Sequence, residues 1–244
     1  MSSSSQPESK AIHPSAAWGA SMVLPFYDWW VLSISNSYAW CCPTSTVLLP
    51  LYQKYIGAHA HMEIGVGSGY YPASSLRQLR EVERLALVDL HPNALTYVEE
   101  RMKKVGYAGQ IDKVEQDIFK PYPSTLHGQF DSVAMFYVFH CLPGVLPTKA
   151  DQVFTQLKPV LKKDGVVYGA TIMGHAEQKM IVPHNWFGRT LMRFYNRKGA
   201  FGNVEDTYAG LEESLKKHFE EVVELKVVGK VALFVARTPI VESA

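Results

Sequence analysis

Three glycines at alternate positions follow an apolar run that ends in an acid. Residues 61–71 read HMEIGVGSGYY, with Glu63 two residues before Gly65 and with Gly67 and Gly69 after it. Glycines allow positive φ angles and let the backbone approach a ligand closely. Glu63 would repel phosphate groups but can accept hydrogen bonds from a cationic amine. No Gly-Lys-Ser/Thr sequence follows, which excludes a P-loop, so the turn favours a ligand with a ribose and an ammonium over NAD.

Acidic residues also lie at the ends of two later predicted strands. Residues 85–90 read LALVDL, a buried strand in which Asp89 can accept hydrogen bonds from ribose hydroxyls. Residues 114–119, VEQDIF, predict the end of a third strand, where Asp117 can accept from the exocyclic amine of adenine and Ile118 can pack on its ring. Because the carboxyl ends of parallel strands share one edge of a sheet, we expect one nucleoside site there.

Four more segments have strand character. Residues 130–136, FDSVAMF, predict a fourth strand that runs into the loop YVFHCLP, and residues 165–172 predict a fifth. Residues 222–228 and 231–236 flank a Gly-Lys turn and predict a terminal antiparallel pair.

Taken together, these motifs resemble those of the class I S-adenosylmethionine-dependent methyltransferases, with a loop similar to that of the ubiquinone-biosynthesis-like members. Residues 63–69 look like the first motif of that family, Asp89 like the acid of the second, residues 116–118 like the adenine-edge motif, and residues 130–143 like the fourth strand and loop. The resemblance implies S-adenosylmethionine as cofactor. It also implies a Rossmann-like, doubly wound α/β fold, whose seven-stranded sheet is mostly parallel with a C-terminal antiparallel strand and carries an N-terminal helical, aromatic cap.

The resemblance further implies which residues hold the methyl donor. They are Glu63, Gly65, Gly67, Gly69, Asp89, Leu90, Asp117, Ile118 and Phe136. Phe136 departs from the family pattern, because a polar residue often stands at the end of the fourth strand. Its backbone can still contact the cofactor, but its side chain can offer no hydrogen bond to a substrate.

Composition and patterning divide the chain into a tail, a cap and one catalytic domain. The 244 residues are 47% apolar, enough for the full core of a single domain. Residues 1–12 begin polar and Ser-rich and predict a disordered tail, and residues 13–55 predict a helical cap. Residues 56–240 form the predicted methyltransferase domain. The segment at about 174–206 is too long for an ordinary loop and predicts an insertion that adds to the cap.

Aromatic residues concentrate outside the predicted cofactor half, in the cap and in the insertion. Both segments can meet above the carboxyl ends of the strands, where a substrate would bind. The predicted pocket residues are Tyr27, Trp30, Trp40, His175, Trp186 and Tyr195. One interpretation is a water-excluding pocket for a flat or apolar molecule. The other is that these aromatics are simply the small core of the cap, since aromatic residues dominate cores in general.

Methyl transfer needs in-line positioning and a dry pocket rather than a covalent nucleophile. If the acceptor is a hydroxyl, His140 is the first candidate for a general base, because it follows the fourth strand and a neutral imidazole suits proton removal near pH 7. The alternative is a histidine that braces the following loop. Tyr137 can orient a substrate, although packing accounts for it as well.

Charge and cysteine content narrow the partners and the compartment. The net charge of +1, with scattered lysines and arginines, predicts no nucleic-acid partner. Three cysteines, two of them adjacent, cannot form a disulfide framework and lack zinc spacing, so we expect no metal and a reducing, cytoplasmic location. Residues 16–40 are apolar, but Pro25 and Asp28 interrupt them, which favours cap helices over an integral membrane span. The sequence leaves the oligomeric state undefined.

The function that these patterns favour is methyl transfer from S-adenosylmethionine to an O, N or S atom of an apolar or aromatic small metabolite. One alternative keeps the fold without the transfer: a cofactor-binding protein that shapes a substrate for cyclisation or rearrangement. A less favoured alternative is an NAD-linked oxidoreductase.

Overall fold

The computed structural model describes residues 28–175, 177 and 186–240, with side chains described from residue 34 onward. The predicted tail and the first part of the predicted cap therefore lie outside the described residues. Within the described part of the chain, no helix is both long enough and apolar enough to cross a membrane.

A seven-stranded sheet forms the centre of the fold, in the order β3-β2-β1-β4-β5-β7-β6. Strands β1 to β5 run parallel to one another, whereas β7 pairs antiparallel with both β5 and β6. The strands are β1 Ala60–Ile64, β2 Arg84–Asp89, β3 Gln110–Glu115, β4 Phe130–Phe136, β5 Leu161–Ile172, β6 Phe219–Val228 and β7 Val231–Pro239. The predicted Rossmann-like fold is confirmed. Its strand order reverses between β1 and β4, the position at which such sheets bind ligands.

Helices flank the sheet. They are α1 Leu49–Lys54, α2 Tyr70–Ala73, α3 Leu76–Leu79, α4 Pro92–Val105, α5 Thr148–Leu157, α6 Trp186–Arg197 and α7 Tyr208–His218. Two π-helical segments, Asp28–Ala39 and Thr44–Leu48, precede α1, and single 3-10 turns occur at Ser124–Leu126, Phe139–Cys141 and Lys158–Val160. Pro92 occupies the first turn of α4, where a missing N–H costs nothing.

The two faces of β4 and β5 bury different sets of residues, because successive side chains of a strand point to opposite faces. Val167 lies in the core that α5 and α7 cover, together with Phe154. Tyr168, the next residue, lies in the core on the cap side, together with Trp40 and Tyr195. The predicted cap and insertion therefore contribute to one face of the sheet, the face that also contains Phe136.

One predicted strand end was wrong. β3 ends at Glu115 rather than at residue 119, because the Gln116 side chain donates to the carbonyls of residues 117, 120 and 121 and folds that segment into a turn. At the other side of the fold, Thr207 caps the start of α7 by accepting from the backbone N–H of residue 210.

Candidate functional site

The glycine turn after β1 has three residues in the left-handed region. Gly65, Gly67 and Gly69 have φ angles of 70°, 50° and 71°. A Cβ on Gly65 would lie 2.8 Å from Val138, and one on Gly69 would lie 2.6 Å from Val98. A Cβ on Gly67 would meet nothing nearer than 4.0 Å. The outer two glycines thus fix the turn by close packing, whereas the middle one leaves the backbone open to a ligand.

Glu63 stands at the end of β1 with only 2% of its surface exposed. Its Oε2 atom lies 3.7 Å from Nε2 of His61 and has no hydrogen-bond partner within the described ranges. Burial raises the pKa of the Glu63 carboxyl, while His61 and Tyr52 act to lower it. A buried acceptor atom that the protein leaves unsatisfied is costly unless a ligand supplies the donor, and an ammonium fits that need.

A hydrogen-bonded network around His61 lies next to Glu63. The sequence interpretation missed this network. The Tyr52 hydroxyl lies 3.1 Å from Nε2 of His61, and Nδ1 of His61 lies 2.7 Å from Oγ of Ser132. The backbone N–H of Gly57 donates to the same Oγ at 2.7 Å. His61 precedes Glu63 by two residues on one strand, so the period of a strand places both side chains on the same face. That spacing was the available signal.

Asp89 closes β2 beside the glycine turn. The parallel register pairs Ile64 with Val88, so Asp89 and Leu90 follow directly at the edge where Glu63 lies. The Oδ1 atom of Asp89 accepts from the backbone N–H two residues later at 3.0 Å, and burial raises the pKa of this carboxyl. The geometry leaves a fixed, partly buried carboxylate at the place where a ribose would approach.

The residues predicted at the adenine edge lie in the turn after β3. Oδ1 of Asp117 accepts from the backbone N–H of Phe119 at 3.0 Å, which holds its carboxylate within the turn. Ile118 is buried, with 8% of its surface exposed, in the core on the α5 side. The turn brings both residues to the same edge as Asp89, whose carbonyl accepts from the N–H of Gln116 at 3.0 Å.

Phe136, at the end of β4, belongs to a group of stacked and edge-on rings. Its centroid lies 4.7 Å from that of Tyr71, 5.5 Å from that of Tyr52 and 5.9 Å from that of Tyr168. Tyr71 follows the glycine turn directly, in α2. The aromatic group therefore joins the end of β4 to the turn after β1.

Tyr137 has a φ angle of +61°, which is rare for an aromatic residue. Its backbone N–H donates to the carbonyl of Ala170 at 2.7 Å, which holds this conformation between β4 and β5. Its ring lies 5.5 Å from that of His140, nearly perpendicular. Such outliers persist only where the surrounding structure imposes them, and they concentrate at functional sites.

His140 is buried in the 3-10 turn after β4. Burial, together with the charge of Lys149, lowers the pKa of His140 to about 3. The imidazole is therefore neutral at physiological pH, and its Nδ1 atom has no hydrogen-bond partner in the part of the chain that the structure describes. The Phe201 ring packs edge-on against it at 4.5 Å, and the N–H of Gly202 donates to its carbonyl at 2.8 Å.

A buried ion pair, also missed from the sequence, joins the segment after α6 to the start of α5. Nζ of Lys149 lies 2.6 Å from Oδ2 of Asp206, and both side chains are 1% exposed. Lys149 also donates to the carbonyl of Gly202 at 3.1 Å, and Asp206 accepts from the N–H of Leu146 at 3.2 Å. Burial lowers the pKa of Lys149 and raises the pKa of Asp206. The opposite charge of the partner reduces both shifts.

Some of the predicted substrate residues meet around Phe201. Trp40 is 2% exposed, with its ring 6.0 Å from that of Phe201, and the ring of Tyr195 lies 4.8 Å from it. We call Trp40, His140, Tyr195 and Phe201 the acceptor cluster. Trp186 does not join it, because its side chain is 71% exposed and contacts only the neighbouring ring of Phe187 among the ring contacts that the structure describes.

The contacts that the structure describes do not place the other predicted substrate residues in the acceptor cluster. His175 is half-buried at the start of the insertion, and its N–H donates to the carbonyl of Val204 at 3.0 Å. Trp30 lies in the helical segment Asp28–Ala39, outside the range of described side chains. Tyr27 lies outside the described residues.

Three features at this edge of the sheet suit an adenosyl sulfonium. The backbone at Gly67 is open to a ligand, Glu63 can accept hydrogen bonds from an ammonium, and Asp89 can accept them from a ribose. The chain belongs to the class I S-adenosylmethionine-dependent methyltransferases. A family profile described as a methyltransferase domain matches residues 62–167.

A curated relative supports this assignment across most of the chain. The O-methyltransferase of the physcion biosynthesis cluster from Aspergillus chevalieri is 43% identical over 220 residues, which cover 89% of this chain and 92% of that protein. S-adenosylmethionine is accordingly the methyl donor, and the chain is a methyltransferase.

Solved structures agree with the fold. The N-methyltransferase NodS from Bradyrhizobium japonicum WM9, in complex with S-adenosyl-L-homocysteine, is 17% identical with a TM-score of 0.55, covering 79% of this chain and 84% of that chain. The [4+2]-cyclase SpnF is 14% identical with a TM-score of 0.58, covering 79% of this chain and 80% of that chain. At these identities the likeness concerns the fold alone.

Proposed function

We propose that this enzyme methylates a hydroxyl oxygen of an apolar, aromatic small metabolite of secondary metabolism, within the cytoplasm and without a nucleic-acid partner. The observation that carries the proposal is the neutral, buried imidazole of His140, which packs against Phe201 within the acceptor cluster and has one nitrogen unsatisfied by the described residues. The relative from Aspergillus chevalieri, named as an O-methyltransferase, supports oxygen as the acceptor atom.

On the donor side, the residues of this chain bind and orient. Glu63 accepts from the donor ammonium, Asp89 accepts from the ribose hydroxyls, and the backbone at Gly67 approaches the ligand without a side chain in between. The turn that contains Asp117 and Ile118 borders the adenine. When bound, S-adenosylmethionine supplies an electrophilic methyl group on a sulfonium.

On the acceptor side, described residues of the predicted cap and of the predicted insertion pack together, among them Trp40, Tyr195 and Phe201. Trp40, Tyr195 and Phe201 provide flat apolar surfaces that hold an aromatic acceptor and exclude water. Exclusion of water helps because charge disperses as the methyl group moves. Tyr137 borders His140 and orients the acceptor.

His140 acts as the base. A neutral imidazole accepts the proton of the acceptor hydroxyl, which leaves the oxygen lone pair available for in-line attack on the methyl carbon. Since its pKa is lowered to about 3, His140 stays unprotonated across the physiological range and is always ready to accept. Since the acceptor cluster offers flat aromatic surfaces, a hydroxyl on an aromatic ring, as in a phenol, is the acceptor that suits this site.

The test is turnover of the His140→Ala variant with a panel of phenols, read by formation of S-adenosylhomocysteine. We expect kcat to fall about 100-fold, the usual contribution of a general base, with the dissociation constant of the donor unchanged. His59→Ala, at a histidine that is 66% exposed, is the control and should retain full activity. Unchanged kcat in His140→Ala would refute the role as base. Formation of no S-adenosylhomocysteine with any phenol would refute the acceptor class.

A further inference from the structure

The outer face of α6 is cationic and aromatic. Its exposed residues include Trp186, Arg189, Arg193, Phe194 and Arg197, and the exposed Lys198 follows the helix directly. Arg189, Arg193 and Arg197 are spaced by four residues, so they form one stripe along the helix. We call these six residues the cationic face. The opposite side of the helix is buried through Met192 and Tyr195, which fixes the orientation of the helix on the protein.

The charge of this face has no acidic partner among the described residues. Within the described ranges, no carboxylate pairs with any of the three arginines, and α6 itself contains no acidic residue. The neighbouring helix α7 shows the contrast, because its Lys216 bonds Glu212 and its Lys217 bonds Asp151, each at 2.7 Å. The protein as a whole carries a net charge of +1, so the cations of α6 are a local concentration.

Exposed aromatic rings concentrate in the same place. Of the aromatic side chains that the structure describes, only Tyr38, Trp186 and Phe194 are largely exposed, at 68%, 71% and 52%. Trp186 and Phe194 belong to the cationic face, and Tyr38 lies in the helical segment Asp28–Ala39, which packs against α6. Large exposed rings beside cations mark an interaction surface rather than a solvated helix.

We propose that the cationic face binds the surface of an anionic lipid bilayer. Three arginines on one helix and the lysine directly after it meet the requirement for attraction to acidic headgroups, and Trp and Phe side chains insert at the level of the headgroups. Cations and exposed rings share this face, and the interface of an anionic bilayer offers partners to both. Because Tyr195 on the inner side of α6 belongs to the acceptor cluster, this surface lies next to the place where an apolar acceptor would enter. The proposal itself does not depend on the acceptor.

The experiment is co-sedimentation of the full chain with vesicles of phosphatidylcholine alone or mixed with phosphatidylglycerol. We expect binding to the mixed vesicles and little to the neutral ones, with binding lost as salt is raised. A chain that stays in the supernatant with anionic vesicles at low salt would overturn the proposal. So would a light-scattering result in which the cationic face mediates a soluble dimer that excludes vesicles.

Matched variants locate the binding on α6. Replacing Arg189, Arg193 and Arg197 by Gln should weaken binding to the mixed vesicles roughly 100-fold. Trp186→Ser should weaken it roughly tenfold, because one ring no longer inserts. The control R80Q/K104Q/K163Q removes the same charge from exposed positions elsewhere, and we expect it to bind like the wild type. Equal losses in the control and in the arginine variant would show a non-specific charge effect and refute the assigned face.

Discussion

The proposed donor side and the proposed acceptor side of this site are built by different means. On the donor side, Glu63 lies in β1, Gly67 lies in the turn after β1, and Asp89 lies at the end of the adjacent parallel strand β2. Each of them is positioned by residues close to it in the chain. On the acceptor side, Trp40, His140 and Phe201 come from distant segments and meet only through packing. The comparison teaches that the proposed donor site is local in sequence, whereas the proposed acceptor site is not. Substitutions should therefore separate the two.

The largest expected effect is on the donor side, at the open position of the glycine turn. Gly67→Arg places a long side chain where the ligand must lie, and we expect donor binding to disappear in calorimetric titration with S-adenosylhomocysteine. The control is Gly128→Arg, because Gly128 also has a positive φ of 66° and open space around it but lies at the other edge of the sheet. It carries the same backbone strain, of about 1–2 kcal/mol, and should bind the donor normally. Normal binding by Gly67→Arg would contradict the site.

The next effect concerns the stability of the acceptor side. Lys149→Met leaves the buried carboxylate of Asp206 unpaired, which should lower the free energy of unfolding by about 3–5 kcal/mol in urea titration. The double variant K149M/D206N keeps an acceptor for the N–H of Leu146 and should recover most of that loss. Lys216→Met, at an exposed pair, should change little. If the single variant is as stable as the wild type, the ion pair does not hold the two segments together.

A smaller effect returns to the donor side. Asp89→Asn removes the charge and one acceptor, leaving ribose hydroxyls poorly paired, so donor affinity should fall about 10–100-fold. Asp164→Asn, an exposed carboxyl at the start of β5, is the control. The turnover of acceptor at saturating donor should change far less than the affinity. An unaltered dissociation constant in Asp89→Asn would remove this carboxylate from the site.

The smallest effect is the pH dependence of donor binding. Burial raises the pKa of Glu63, so its carboxylate takes up a proton at a higher pH than an exposed glutamate does. Donor affinity should therefore fall as the pH is lowered from neutrality, and Glu63→Gln should remove that dependence at a cost of about tenfold in affinity at neutral pH. Glu81→Gln, at an exposed position, is the control.

The same carboxyl makes a signed prediction for stability. A raised pKa in the folded state means that the contribution of Glu63 is full at low pH and is lost as the pH rises through that pKa. Without donor at neutral pH, Glu63→Gln should therefore unfold at the same or a higher temperature than the wild type. A clear loss of thermal stability in this variant would show that Glu63 serves the fold rather than the ligand.

The sequence was sufficient for the fold, and it also located the residues of the proposed donor side, for a physical reason. Glu63, Gly67 and Asp89 are identified by short-range spacing, because a strand, a turn and a helix start each impose local residue types. The end of β3 was misplaced since the hydrogen bonds of the Gln116 side chain override strand propensity. His61 was readable in principle, through its spacing to Glu63.

The acceptor side was not predictable in the same way. Nothing in the spacing of Lys149 and Asp206 indicates that they form a buried pair across the fold. The sequence shows how many aromatic residues lie around the cap but not which of them line a pocket and which form a core. Trp186, predicted as a pocket residue, is largely exposed. Packing between distant segments decides which rings meet, and single-sequence patterns carry no information about it.

The most direct test of the central claim, that the turn after β1 and the acid after β2 hold the methyl donor, is a crystal structure grown with S-adenosylhomocysteine. We predict the ribose within hydrogen-bond distance of Asp89, the amino group beside Glu63 and backbone contact at Gly67. A ligand bound elsewhere, or a turn at residues 65–69 with no ligand against it, would contradict the account.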